Sequence, residues 1–231
     1  MTQPDPSRFF DQKVAEHYDA QADNLKAIGD NLHLLIGLVL QELPDDARIL
    51  CVGAGTGTEI VHLAALHPNW RFVALEPSPE MLAKCREKME KHGFDERCRH
   101  VNGILKDIAP GESFDAVLCL LVTQFMLDPE ERQAMFDGMA RRLRAGGYLI
   151  NAEISYDVRS AAFDAMAQKW GAMRKKSGAT KDDTAQIIAM MLKHVAVAPP
   201  AAIEAMLKKS GFAMPILFFQ SLFIHAWYSQ K

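Results

Sequence analysis

The residues with the most chemical content lie in one run, Ile49-Leu-Cys-Val-Gly-Ala-Gly-Thr-Gly-Thr-Glu-Ile60. An apolar strand, Ile49–Val52, leads into Gly53, Gly55 and Gly57 at alternate positions. A helical pattern follows in Ile60, Val61, Leu63, Ala64 and Leu66. Glycines at this spacing permit a tight turn with positive φ and let the backbone approach a ligand where a Cβ would collide. Nineteen residues beyond Gly57, a second apolar strand, Trp70–Leu75, ends in Glu76. An ionised carboxylate there can accept hydrogen bonds from a pair of ribose hydroxyls. These are the parts of a nucleoside-cofactor site at the carboxyl edge of a parallel sheet.

The spacing bears on which cofactor is held. A dinucleotide fingerprint reads G-x-G-x-x-G, with pyrophosphate on a helix N-terminus. Here the pattern is G-x-G-x-G, and Thr58 stands where the third glycine would be. Downstream, Phe114–Leu121 is a near-continuous apolar run, as a parallel strand buried on both faces requires. A helical stretch, Pro129–Leu143, and a Gly-Gly turn into a further strand, Arg144–Glu153, come next. From Ala47 to Glu153 this order resembles class I S-adenosylmethionine-dependent methyltransferases. A NAD-type Rossmann domain is the alternative that the glycine loop alone leaves open.

The resemblance implies an α/β, Rossmann-like fold: a mixed seven-stranded sheet with an antiparallel last strand and helices on both faces. The C-terminus fits, because Gly211–Phe219 and Leu222–Tyr228 are separated only by Gln220-Ser221, too close for a crossover helix, and should pair antiparallel. It also implies S-adenosyl-L-methionine as co-substrate, with no metal. Cofactor contacts are expected from strand ends: Gly53, Ala54, Gly55, Glu76, Pro77, Met81, Gly103, Ile104, Leu105 and Leu120.

The surrounding elements read as one domain in four parts. Residues 1–44 are N-terminal lid helices, with Phe9, Phe10, Val14 and Tyr18 as the apolar stripe of Phe9–Ala22, and a second helix, Asp23–Leu43, stopping at Pro44. Residues 45–154 form the cofactor-binding core, in which Pro77-Ser78-Pro79 starts a helix that ends near Gly93. Residues 155–210 form a helical insertion with helices Val158–Lys175, Asp182–Val195 and Pro200–Lys209, and a breaker at Ser177-Gly178. Residues 211–231 are the strand hairpin. The insertion is expected to cover the pocket mouth and is a candidate oligomer contact, so a homodimer is an open expectation.

Composition sets bounds. The chain has 231 residues, is 49% hydrophobic and carries a net charge of −3. That is enough to bury a full core, and it argues against a strongly cationic nucleic-acid surface. Cys51, Cys85, Cys98 and Cys119 show no C-x-x-C spacing and read as small core residues, in keeping with a cytoplasmic protein. The longest apolar stretch, Leu32–Leu40, contains His33 and Gly37 and is too short to span a bilayer.

A narrower resemblance is carried by Thr123-Gln-Phe-Met-Leu-Asp-Pro-Glu-Glu-Arg-Gln-Ala-Met-Phe136 through Gly146-Gly147 and Glu153, and by Lys209-Ser-Gly-Phe212 with Phe219-Gln220. Both are similar to the carboxy-S-adenosylmethionine synthase group, which acts in tRNA wobble-uridine modification and carboxylates S-adenosylmethionine with prephenate. That family holds the added carboxylate with an arginine in the insertion. Here no arginine follows Arg174, and Ile188 falls near the aligned place. Lys193 is a nearby cation, but without a bidentate fork. Leu120 stands where the family has asparagine. These departures favour ordinary methyl transfer to a small-molecule acceptor over carboxy-S-adenosylmethionine synthesis. Cys51 and Ile104 replace the acidic residues that the wider family places in its first motif and after strand 3. Glu59 or backbone carbonyls at the end of strand 4 would then hold the cofactor's ammonium, or affinity is low, and a catalytically degenerate cofactor-binding protein stays open.

Methyl transfer from a sulfonium needs chiefly positioning, with a base only where the acceptor must lose a proton early. The catalytic candidates are Tyr18 in the lid, Gln124 after strand 4, and Glu153 at the end of strand 5 as a base or acceptor hydrogen-bonding group. Tyr156 and His194 are further acceptor-side candidates, whereas His225, Trp170 and Trp227 read as structural. The basic groups Arg141-Arg142-Arg144 and Arg174-Lys175-Lys176 read as solvated helix faces, so nucleic acid is an unlikely partner and no membrane is expected.

Overall fold

The computed structural model describes residues 25–174 and 181–231. The proposed lid segment Phe9–Ala22, with Tyr18, and the Ser177-Gly178 breaker lie outside the described residues. A seven-stranded sheet is built from β1 (Arg48–Val52), β2 (Arg71–Glu76), β3 (Cys98–Asn102), β4 (Phe114–Leu120), β5 (Leu143–Ile154), β6 (Ile216–Ser221) and β7 (Ile224–Gln230). Their spatial order is β3-β2-β1-β4-β5-β7-β6. The first five strands are parallel, and β7 runs antiparallel to both β5 and β6. Strand order reverses between β1 and β4, which opens a crevice at their carboxyl ends.

Both sheet faces are covered, and the burial along each strand alternates between two cores. Ile49 and Cys51 of β1 join one cluster with Leu118 of β4, while Leu50 and Val52 join the other with Val117 and Cys119. The first core is closed by α1 (Lys26–Val39), α2 (Thr58–Leu66), α3 (Pro79–His92), α5 (Phe163–Arg174) and α6 (Lys181–His194). The second is closed by α4 (Pro129–Arg142) and α7 (Pro200–Lys209). All four cysteines are free and buried. Among the described residues no helix is long and apolar enough to cross a membrane.

Local sequence explains where the elements start and stop. Ser78 caps α3, its Oγ accepting from Met81 N at 3.2 Å, with Pro79 in the first turn and Gly93 closing the helix at φ 74°. Asp128 caps α4 by accepting from Glu130 N at 2.8 Å, with Glu130 and Glu131 in the first turn and Arg141 and Arg142 in the last. The carboxyl end of α2 is completed from a distance. Arg97 donates to the carbonyls of Ala64, His67 and Trp70 at 2.9, 3.0 and 3.1 Å. At the same amino edge of the sheet, Asp115 accepts from Arg48 N at 2.8 Å and from Arg144 Nη1 at 2.6 Å, tying β1, β4 and β5 together.

The hairpin differs from its sequence reading. Phe212 belongs to the end of α7, where its N–H donates to Leu207 O at 3.2 Å and its ring is buried, so β6 begins only at Ile216. Gln220 and Ser221 are strand residues, and the turn is Leu222-Phe223, with Leu222 at φ 52°. Phe223 explains the shift. It is fully buried, at centroid distances of 5.3 Å from Tyr156, 5.4 Å from Phe163 and 5.6 Å from Trp170. That aromatic cluster fastens α5 to the hairpin tip.

Phe136 of α4 is fully buried in the second core. Phe136→Ala is expected to cost about 3–5 kcal/mol of unfolding free energy, read as a lowered midpoint in urea denaturation with an unchanged m-value.

Candidate functional site

The crevice is formed by four strand ends. After β1 the chain turns through Gly53, Gly55 and Gly57 at φ 67°, 53° and 75°, conformations that L side chains rarely adopt. Gly53 N and Ala54 N both donate to Leu75 O, at 2.8 and 3.1 Å, which locks the glycine turn onto the end of β2. A Cβ on Gly53 would stand 2.5 Å from Val122 Cγ2, so the loop after β4 closes directly on the glycine. Met81, from α3, brings its Cε within 3.5 Å of where a Gly55 Cβ would be. It is buried against the glycine turn itself.

Glu76 is the polar centre of this arrangement. It is 6% exposed, its Oε2 accepts from Gly55 N and its Oε1 from Ser78 N, both at 2.9 Å. Burial pushes its carboxyl above the usual range, and the Ser78 and Gly55 N–H bonds pull it back. Each carboxylate oxygen has a second lone-pair direction left for a ligand hydroxyl. Asn102 Nδ2 donates to the carbonyls of Glu76 and Pro77 at 3.0 and 2.9 Å, binding the ends of β2 and β3 to one another. Beyond β3, Asp107 accepts from Ile104 N at 2.8 Å and shapes the Gly103-Ile104 corner. Ile104 is 47% exposed, a flat apolar surface beside Glu76's strand end.

The structure redistributes several expected roles. Gly53, Ala54, Gly55, Glu76, Pro77, Met81, Gly103 and Ile104 are gathered at the carboxyl ends of β1, β2 and β3. Leu105 turns away. Its Cδ1 would lie 3.0 Å from a Cβ on Gly138 of α4, so it packs in the second core rather than on the crevice. Leu120 is half-buried at the last position of β4. The next residue, Leu121, holds φ 60° while its N–H donates to Ala152 O at 2.7 Å. A left-handed leucine costs about 1–2 kcal/mol. Sequence pattern gave no sign of this strained residue, or of Val122 on Gly53, because both depend on how β4 leaves the sheet.

Glu153 and Gln124 need correction. Glu153 was expected at the pocket edge, yet β5 continues past it and pairs it with His225 of β7, leaving it fully buried. Its Oε2 accepts from Arg132 Nη2, and its Oε1 accepts from Thr123 Oγ1 and from Asn151 Nδ2, the last at 2.9 Å. A carboxylate so engaged is no open base at a pocket rim. Gln124 is 3% exposed, its Oε1 accepts from Ile154 N at 2.7 Å and its carbonyl from Ala196 N at 2.7 Å. Arg132 Nη1 reaches Ala196 O at 2.8 Å. Ser155 Oγ and Tyr156 N then meet Ala198 O at 2.7 and 3.0 Å. This buried network stitches the return of the insertion to the loop after β4, over the sheet's carboxyl edge. Tyr156 packs in the aromatic cluster around Phe223. His194 ends α6. His225 is buried with Nδ1 3.1 Å from Phe223 O, and burial lowers its pKa. Among the described residues no group of three or more His, Cys, Asp or Glu side chains could hold a metal ion.

Comparison with known proteins agrees with this geometry. Residues 49–147 match the family described as "Methyltransferase domain". A carboxy-S-adenosyl-L-methionine synthase of Salmonella arizonae is 24% identical over 214 residues, spanning 91% of this chain and 86% of that protein. Among solved structures, an O-methyltransferase family 2 protein from Planctomyces limnophilus in complex with apigenin superposes with a TM-score of 0.64 at 15% identity over 95% of this chain. PigF with SAH superposes with a TM-score of 0.64 at 17% identity over 99%. The chain spans 61% and 63% of the lengths of those two proteins.

Removing Arg132 leaves a buried carboxylate without its cation, a change that typically costs about 3–5 kcal/mol. Arg132→Leu is expected to lower the thermal midpoint strongly, and Arg132→Leu combined with Glu153→Leu to recover much of the loss in a double-mutant cycle.

Proposed function

We propose that this protein is a class I S-adenosylmethionine-dependent methyltransferase that transfers the cofactor's methyl group to a small-molecule acceptor by in-line displacement. The observation that supports cofactor binding best is the union of Gly55 and Glu76. A backbone with no Cβ lies 2.9 Å from a buried carboxylate that keeps acceptor capacity for ribose. When bound, S-adenosylmethionine supplies an electrophilic methyl on a sulfonium whose departure leaves a neutral thioether. The residues of this chain do the rest. Glu76 holds the ribose, Ile104 and Pro77 flank the adenine, and Gly53 to Gly55 admit the chain of the cofactor along the glycine turn. The half-buried Leu120, Leu121 and Phe125 line the exit beside β4 and limit water near the reacting carbon.

The acceptor reading rests on charge and on the cover. The chain is net acidic at −3, which disfavours a polyanionic substrate. The insertion α5–α6 is fastened over the sheet edge and brings half-buried Tyr156 and Ile188 to the same apolar core. The structurally similar Planctomyces protein was captured with apigenin, a small molecule. Residues 155–210 thus serve as a substrate cover. No base is assigned among Tyr18, Gln124 and Glu153. Gln124 and Glu153 act by holding the cover and the loop after β4 in register.

The Salmonella relative's name raises a second reading, carboxylation of the cofactor's sulfonium. Against it, no arginine follows Arg174, Ile188 is half-buried against apolar residues, and Lys193 is exposed. Mass spectrometry of the purified protein with S-adenosylmethionine and prephenate is expected to show no carboxylated sulfonium. With a panel of phenolic, amine and thiol acceptors, S-adenosylhomocysteine is expected to accumulate with at least one small acceptor. Turnover only on tRNA, or on nothing, would overturn the reading. Glu76→Ala is expected to weaken S-adenosylhomocysteine binding by about 10- to 100-fold, as loss of charge-assisted hydrogen bonds typically does; calorimetry showing unchanged affinity would remove the ribose from this position.

A further inference from the structure

A groove away from the crevice opens between the carboxyl end of α1 and the terminal hairpin β6–β7, with a volume of about 370 Å³. That size suits a small molecule. Strand register fixes its place. Tyr148 of its wall pairs with Ala116 early in β4 and with Gln230, the last residue of β7. The groove therefore lies at the amino edge of the parallel strands, whereas the cofactor crevice lies at the carboxyl ends of β1, β2 and β3.

Three aromatic rings line the groove. Tyr148 and Tyr228 have centroids 6.5 Å apart at an interplanar angle of 43°, and Phe218 meets Tyr228 at 5.9 Å and 61°. All three are half-buried, so each keeps ring surface on the groove. Leu35, Leu38 and Val39 form the facing wall, and Leu38 is 53% exposed. The electrostatics have one sign. Aromatic ring faces are negative. Glu42 is exposed at the rim and is the one charged side chain among the described lining residues. The helix that supplies Leu38 and Val39 ends here, with no basic residue in its last turn to offset the negative end of its dipole.

We propose that this groove binds a small quaternary ammonium compound, its methylated head among Tyr148, Phe218 and Tyr228 and its charge balanced by Glu42 and the carboxyl end of α1. The proposal does not depend on the cofactor reading. Neighbouring rings at these separations can share one cation, since the attraction reaches about 6 Å from a ring centroid. A quaternary head suits the walls better than a primary ammonium. Its methyl groups pack on Leu35, Leu38 and Val39 and give up loosely held water. A primary ammonium would exchange tight hydration for ring faces. An anion would meet repulsion from the rings, the carboxylate and the helix end together.

The test titrates the protein with choline and with 3,3-dimethylbutan-1-ol, its neutral isostere, by calorimetry. Choline is expected to bind saturably, and the isostere at least about tenfold more weakly, because it lacks the attraction to rings and carboxylate. Tyr228→Leu is expected to weaken choline by about three- to thirtyfold, the worth of one cation–ring contact. Glu42→Gln, at an exposed position, is expected to weaken it by about two- to fivefold, as a partly solvated ion pair does, with the thermal midpoint unchanged. Saturating S-adenosylhomocysteine should leave choline affinity unaltered. Co-sedimentation with phosphatidylcholine vesicles tells a lipid headgroup from a soluble ligand of the same chemistry. No saturable choline binding, equal affinity for choline and its isostere, or displacement of choline by S-adenosylhomocysteine each overturns the proposal. So does unchanged choline affinity in Glu42→Gln, which decides the matter even where Tyr228→Leu does not fold.

Discussion

Two hydrogen bonds from backbone N–H groups to one carboxylate organise the crevice. Glu76 accepts from Gly55 and from Ser78, so a single buried side chain fixes the glycine turn after β1 against the first turn of α3. Burial of a carboxylate is unfavourable unless it is hydrogen-bonded. Here the compensation comes from backbone groups that the turn and the helix start would otherwise leave unpaired. The glycines are needed because the chain must pass close to Glu76 and Val122 with left-handed φ values. Strand order, glycine turn and acid are thus one constraint met three times.

The second polar assembly has a different purpose. Arg132, Glu153, Thr123 and Asn151 form a buried cluster between α4 and β5. A buried ion pair is weak support for stability compared with apolar packing of the same volume. Its value here is geometric. Arg132 also holds Ala196 O, and Gln124 links Ile154 N to Ala196 N. The return of the insertion, the loop after β4 and the end of β5 therefore share one set of partners. The strained Leu121 sits at the junction, consistent with strain being tolerated where surrounding structure over-determines the backbone.

Much of the fold was legible because its signals are local. The apolar run Phe114–Leu120 can only be a strand covered on both faces. Pro79 with Ser78 before it, and Gly93 after Lys91 and His92, mark both ends of α3 without reference to anything distant. The same holds for α7, which occupies Pro200–Lys209 as its proline start and lysine end suggest. Where distant contacts compete, local signals fail. The polar pair Gln220-Ser221 reads as a turn, yet Phe223 is drawn into the aromatic cluster and the turn moves with it. Glu153 reads as an open base at the pocket edge, yet β7 pairs alongside and Arg132 arrives from α4.

By itself, the sequence determined the parallel order of the first strands, the positive-φ turn and the acid that closes it, because glycine spacing, apolar runs and capping residues act within a few positions of one another. Only the tertiary structure decided which carboxylates face the crevice and which are consumed inside the core. Glu76 and Glu153 are the same kind of residue near strand ends, and composition cannot separate them. Their roles diverge because burial and hydrogen-bond partners are set by residues 21 to 72 positions away, and those partners exist only once the sheet has closed.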